Sequence, residues 1–340
     1  MQSRKPPRKD AVLDFRMTFP VSVARRRRWA WGALVIVILS IGASEFYLRH
    51  LGLGRPALIM PDPAAGYILK PDQDLHRFGN ETRINSYGMR SDPVPAIKQA
   101  NVFRILIVGD SFAYGSTQLD QSQIFAELLH HELPRILHRP VEVFNASAGG
   151  WAISNELGYV RSRGVFNADL VLLALNNGDP TQPFNEYSQV GLPSVDNHPD
   201  FALQELWERY LKGRIFPGRA QPVNTDTAAS DAANATQNLS YLDQFLAVTI
   251  AGGSRMAVAY IPLPTHTDPA TGLIAWCAAN HVPLIDLASA AKQWASIPDI
   301  FIVGGGHYNA KGNRLIADEL EKDWPVVMPS PQASANESSK

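Results

Sequence analysis

The stretch Phe103-Arg104-Ile105-Leu106-Ile107-Val108-Gly109-Asp110-Ser111-Phe112-Ala113-Tyr114-Gly115 decides the fold class. Its first seven residues form a short, nearly continuous apolar run, as expected of a strand buried on both faces. Four more such runs follow: VEVFN (141–145), ADLVLLAL (168–175), RMAVAYI (255–261) and VPLIDL (282–287). The stretches between them, IFAELLHHEL, SNELGYVRSR, SYLDQFLAVTI, ATGLIAWCAANH and NRLIADELEKDW, carry helical periodicity and supply the crossovers of a parallel sheet. The pattern predicts an α/β protein: a three-layer α/β/α (flavodoxin-like) domain over 102–325 with a mostly parallel five-stranded sheet.

Outward from this core the chain changes character. Residues 1–28 form a basic tail with nine Lys/Arg and two Asp/Glu, ending in Arg25-Arg26-Arg27-Arg28. WAWGALVIVILSIGASEFYL (29–48) follows, with Glu45 as its one charge. Twenty helical residues span about 30 Å, the hydrocarbon thickness of a bilayer. This predicts one transmembrane anchor with the arginines cytoplasmic and the rest outside. A cleaved secretory signal is the other reading, since Ser40, Gly42 and Ala43 are small. Residues 49–101, rich in Pro, Gly and Asp, read as a stalk or cap. RAQPVNTDTAASDAANATQN (219–238) reads as a flexible surface insertion, and 326–340 as a disordered tail.

Composition sets limits. A chain of 340 residues with 45% hydrophobic and 19% charged residues can bury a substantial core, which excludes wholesale disorder and collagen-like repeats. The net charge of −1 hides a basic tail and an acidic body, so no nucleic-acid partner is expected. Cys277, the one cysteine, excludes an intramolecular disulfide and reads as a core thiol. GxxxxGK[ST], HExxH, GxGxxG after a strand and GxSxG are all absent, so no metal or cofactor is expected.

In an open parallel sheet, ligands gather at the carboxyl ends of the strands. The first run ends in Gly109-Asp110-Ser111, where a hydroxyl at the sheet edge beside a helix N-terminus suits a nucleophile; a serine merely capping a helix is the plainer alternative. Gly109-Asp110-Ser111 resembles the first block of the SGNH (GDSL-type) hydrolase superfamily. Asn145-Ala146-Ser147-Ala148-Gly149-Gly150 resembles its second, and Gly306-His307-Tyr308-Asn309-Ala310-Lys311-Gly312 its last. Asn85-Ser86-Tyr87-Gly88-Met89-Arg90 resembles an N-S-x-G-x-R element that precedes the core in membrane-anchored bacterial members. The resemblance covers roughly 80–324. It implies Ser111 as acyl-accepting nucleophile, His307 as general base, and an oxyanion hole containing the N–H groups of Ser111 and Gly150. Of the other histidines, His130, His131 and His138 are expected to face solvent, and His266 is a weaker rival base.

Two departures stand out. The third block, Gly-x-Asn-Asp, has become Asn176-Asn177-Gly178-Asp179, leaving the oxyanion amide to Asn177, slightly favoured, or Asn176. The acid that stands two or three residues before the His is replaced by Gly304 and Gly305. Asp299 is the substitute named here, with Asp286 more suited to helix capping and a backbone carbonyl as a further option. The resulting expectation is an extracytoplasmic ester hydrolase acting on acylated carbohydrate. Acyl transfer, or a non-catalytic glycan-binding or scaffolding protein, stands as the alternative.

Overall fold

A computed structural model describes residues 22–187, 196–216, 227–267, 270–302 and 306–327. The first element, helix α1 (Ser22–His50), holds the apolar stretch. From Arg25 to His50 it is long and apolar enough to cross a membrane, and none of its most apolar window is buried. A membrane span and a signal sequence both have this length and composition. Trp29 and Trp31 stand exposed near one end of the apolar stretch, and Phe46 and Tyr47 near the other.

From Leu48 onward the chain forms a separate unit. Residues 49–101, expected as a stalk or cap, begin it with two antiparallel hairpins: β1 (Ile59–Asp62) with β2 (Gly66–Leu69), and β3 (Gln73–Arg77) with β4 (Asn80–Ile84). These are not an extended stalk. Tyr67, Ile68, Leu69, Ile84 and Met89 are buried in the same apolar cluster as residues of the central sheet.

That sheet contains β5 (Phe103–Gly109), β6 (Val141–Ser147), β7 (Leu170–Leu175), β8 (Arg255–Tyr260) and β9 (Leu284–Asp286), in the order β6-β5-β7-β8-β9. All four pairings are parallel. Every residue of β5 and β7 is buried, because alternate side chains enter apolar layers on opposite faces. Leu106, Val108, Val171 and Leu173 pack with α4 (Ile153–Arg163), α7 (Thr227–Ala251) and α8 (Thr271–Ala279). Ile105, Ile107, Leu170 and Leu172 pack with α3 (Phe125–Leu137), α9 (Ala288–Trp294), α10 (Ala310–Lys322) and α11 (Trp324–Val327). The three-layer α/β/α architecture follows. The remaining helical pieces are the single turn α2 (Ser111–Tyr114), a 3₁₀ turn Gln121–Gln123, and the consecutive segments α5 (Ala202–Glu205), a π-helix Leu206–Leu211 and α6 (Lys212–Ile215).

The expected flexible insertion is corrected over its second half. Residues 227–238 belong to α7. Asn238 is buried, and its amide donates to the carbonyls of Asp179, Pro180 and Gln182, so this helix supports the loop that follows β7. Residues 219–226, and the tail from 328, lie outside the described residues.

One glycine is fixed by close packing. A Cβ at Gly158 in α4 would sit 2.0 Å from the Ala64 carbonyl oxygen and 2.5 Å from its carbon, both backbone atoms that cannot swing aside. Gly158→Ala is expected to destabilise the fold by about 3 kcal/mol, an overpacking penalty at the upper end of the usual range. Gly272→Ala, a helical position with open space, is expected to leave stability unchanged or raise it. Thermal melts followed by circular dichroism check the contrast; equal melting temperatures would contradict the packing.

Candidate active site

Ser111 follows the last residue of β5 and opens the single-turn helix α2. The cap of that turn is Asp110, whose side chain accepts from the Phe112 N–H at 2.9 Å, so Ser111 is not itself the capping residue. With one turn, α2 contributes little dipole, and its placement depends on outside bonds. Asn145 Nδ2 donates to the Ala113 carbonyl at 2.7 Å. Arg90, fully buried, donates from its guanidinium to the carbonyls of Tyr114, Ser116 and Leu119. The N-S-x-G-x-R element therefore packs into the domain and clamps the end of the Ser111 turn. Asn85 shapes that element by accepting from the N–H groups of Tyr87 and Met89. Gly88 permits it, since a Cβ there would meet the Leu69 carbonyl oxygen at 2.5 Å.

Beneath Ser111 lies a polar arrangement that the sequence reading did not assign. Asp110 Oδ2 accepts from Ser111 Oγ at 3.2 Å and from Asn176 Nδ2 at 2.8 Å. Asn176 Oδ1 in turn accepts from the Gly178 N–H, and Asp179 Oδ2 accepts from the Asn176 N–H, both at 2.6 Å. Burial pushes Asp110 up to about 6, against the N–H and hydroxyl donors that lower it. Asp179 and Glu156, buried in the same region, are raised well above their ordinary values, first by burial and then by the neighbouring carboxylates. Among the described residues, both oxygens of Glu156 lack a hydrogen-bond partner. Burial and mutual repulsion thus disfavour charge on all three carboxyl groups, and the donors on Asp110 favour its charged form.

Gly150 follows β6 with φ at +81°, where glycine is favoured. Its carbonyl accepts from Gln182 Nε2 and Asn185 Nδ2, both at 2.9 Å, while the Gly149 carbonyl accepts from the Tyr67 hydroxyl at 2.7 Å. The two carbonyls are thus engaged by the loop after β7 and by the β2 hairpin, and the Gly150 N–H donates to no group among the described residues. Tyr67, Gln182 and Asn185 left no signal in the sequence, because their role depends on a fold that brings residues 32 to 82 positions apart together.

The two asparagines diverge. Asn176 is buried and reaches Asp110, beside Ser111. Asn177 turns elsewhere: its Oδ1 accepts from the Leu263 N–H at 3.3 Å, and it lines a cavity of about 370 Å³ with Leu175, Leu242, Tyr260 and His266. Of the two candidates, Asn176 is therefore the one that stands beside Asp110, and Asn177 the one that does not.

His307 precedes α10, whose cap Asn309 accepts from the Gly312 N–H. The His307 ring packs against the Phe112 ring with centroids 5.7 Å apart, beside the residue that follows Ser111. Burial holds its pKa below the ordinary 6.5. Ser111 and His307 are not hydrogen-bonded to each other, and no carboxylate bonds His307 among the described residues. Asp299 is exposed and meets Asn309 through its backbone carbonyl, at 2.8 Å from Asn309 Nδ2. The structure does not bring the Asp299 carboxylate to His307. Asp286 accepts from the N–H of Ala288, the first residue of α9, although the cap position itself is Leu287. His131 and His138 are exposed, but His130 is half-buried and its Nδ1 accepts from the Val143 N–H. His266 is exposed, with Nδ1 paired to the Thr265 hydroxyl. Cys277 is buried, as expected of a core thiol.

No protein-family model matches the sequence, and no curated protein matches it. Solved structures do. Several of them are esterases or lipases. TesA is 17% identical, with a TM-score of 0.42 over 66% of this chain and 98% of its own. A lipolytic G-D-S-L family protein from Veillonella parvula is 13% identical, with a TM-score of 0.40 over 65% and 97%. A two-domain esterase active on acetylated mannans is 11% identical, with a TM-score of 0.44 over 67% of this chain and 50% of its own.

Proposed function

We propose that this protein is a serine ester hydrolase of the SGNH type, held at a bacterial membrane by α1 and working outside the cytoplasm on O-acyl groups of envelope or extracellular carbohydrate. Ser111 Oγ attacks the acyl carbonyl and His307 takes its proton, returning it to the leaving alcohol. The N–H groups of Ser111 and Gly150 and the amide of Asn176 receive the oxyanion. The observation that supports this reading is the packing of His307 on Phe112, the residue that follows Ser111. Apo geometry of this kind tightens when substrate arrives. The extracytoplasmic site follows from the Arg25–Arg28 cluster ahead of the apolar helix, and the carbohydrate substrate from that location together with the motif resemblance.

One observation favours a second reading. The Ser111 hydroxyl donates to Asp110, and among the described residues His307 has no orienting carboxylate, a geometry that also suits a descendant that binds glycan without turning it over. Labelling of the full chain with a fluorophosphonate probe, followed by release of acetate from p-nitrophenyl acetate, separates the two. An enzyme labels and turns over; if neither occurs, the binding reading replaces it.

The pH profile gives an independent check. Neutral imidazole is the base, and burial keeps the His307 pKa below 6.5, so kcat/KM is expected to be level above neutrality and to fall on the acid side. Asp110, pushed up to about 6, loses its charge over the same limb and steepens the fall beyond one proton. A rate that rises as pH drops from 7 to 5 would exclude this assignment.

A further inference from the structure

Directly after α1, the chain presents a face that the proposed reaction does not use. Segment 201–216 buries Ala202 and Glu205 and turns its aromatic and aliphatic side chains outward: Phe201 is 61% exposed, Trp207 40%, Ile215 55% and Phe216 66%. Trp207 and Phe216 pack edge to face, 6.2 Å apart, forming one ridge. The segment is tied to the residues at which the apolar helix ends. Arg49 donates to the Asp200 carbonyl at 2.6 Å. Glu205 accepts from the Gly54 N–H at 2.6 Å and pairs with the buried Arg77 at 2.5 Å, and Arg77 also donates to the Gly52 carbonyl. Beside these contacts, Arg49, His50, Arg55 and His76 line a cavity of about 400 Å³ with one carboxylate, Asp74. Arg55 and Arg214 are exposed with no acidic partner among the described residues.

Exposed aromatic groups next to unpaired cations match the boundary of a bilayer, where amphipathic rings sit at headgroup level and basic groups meet lipid phosphate. Chain connectivity supplies the occupant. If residues 29–48 span the hydrocarbon, residue 49 lies at the membrane surface, and so does whatever is bonded to it. We infer that the 201–216 ridge and the Arg49–His50–Arg55–His76 cavity form a lipid-docking face that rests on anionic phospholipid of the anchoring membrane. This inference rests on reading α1 as a membrane anchor.

The test uses the full chain in vesicles of phosphatidylethanolamine and phosphatidylglycerol, with single nitroxide labels at Phe201→Cys, Phe216→Cys, Ile41→Cys in the apolar helix, and Lys292→Cys on the surface of α9. The native Cys277 is buried, and burial pushes its thiol up to about 11, so it reacts slowly with the label. Greater relaxation by oxygen than by a water-soluble nickel chelate is expected at 201, 216 and 41, and the reverse at 292. Lipid contact at 41 with water at 201 and 216 would overturn the inference and leave the anchor standing. Water at 41 would end the anchor reading and the inference with it. For the cavity, native mass spectrometry of the full chain released from the same vesicles should show retained phosphatidylglycerol, falling about fivefold in Arg55→Ser. It should be unchanged in Arg135→Ser, an exposed cation outside the cavity. Equal retention in both variants, or of phosphatidylethanolamine in place of phosphatidylglycerol, would count against the headgroup site.

Discussion

Ser111→Ala is expected to abolish fluorophosphonate labelling and to lower ester turnover on the order of 10⁴- to 10⁶-fold, the range seen when the nucleophile of an acyl-transfer site is removed. The serine is half-buried at the tip of β5, and its turn is clamped by Asn145 and Arg90, so deleting one hydroxyl should not disturb the backbone. An unchanged melting temperature is part of the expected result. His307→Ala should approach the same loss, because each member of such a pair works only through the other. The effect of Asp299→Asn separates the options for the missing acid. With its side chain exposed and no bond to His307, it is expected to change kcat by less than threefold, whereas a triad acid would cost about 10⁴-fold. Turnover that survives in Ser111→Ala would remove Ser111 from the mechanism altogether.

The second large effect concerns the adjacent asparagines. Asn176→Ala is expected to lower kcat by about 10²- to 10³-fold with little change in KM, as for the loss of one oxyanion donor. Asn177→Ala, whose amide meets the Leu263 N–H on the wall of a separate cavity, should leave kcat within a few-fold. Steady-state kinetics on p-nitrophenyl acetate measure both. The reverse ranking would mean that the loop after β7 turns over when substrate binds. Asn176→Asp sharpens the point: a third carboxyl group would stand against Asp110 and Asp179, and it should be worse than alanine at neutral pH.

Much of this protein is legible along the chain. FRILIVG, VEVFN, ADLVLLAL, RMAVAYI and VPLIDL each enter the sheet close to where they were expected, because a strand buried on both faces must be apolar at every position. The Asn309 cap is local in the same sense, being a bond between a side chain and a backbone N–H three residues away. The stretch 227–238 misled for the same local reason: its Ala, Ser, Asn and Thr lack apolar periodicity, and only Asn238, held by three carbonyls of a loop about 56 to 59 residues away, reveals what it supports.

The sequence by itself determined the strands, their crossover helices, the apolar N-terminal helix, and which serine and glycine follow strands and which histidine precedes the helix near the C-terminus. These are encoded by neighbours within one or two turns of chain, where side-chain periodicity and backbone preference act directly. Tertiary structure alone decided that Asn176, not its neighbour, reaches Asp110, that Asp110 holds both Asn176 and Ser111, and that Arg90 fixes the turn that Ser111 opens. Each of those outcomes depends on a hydrogen bond between groups on different segments, and a buried polar group takes whichever partner the packed fold leaves within reach.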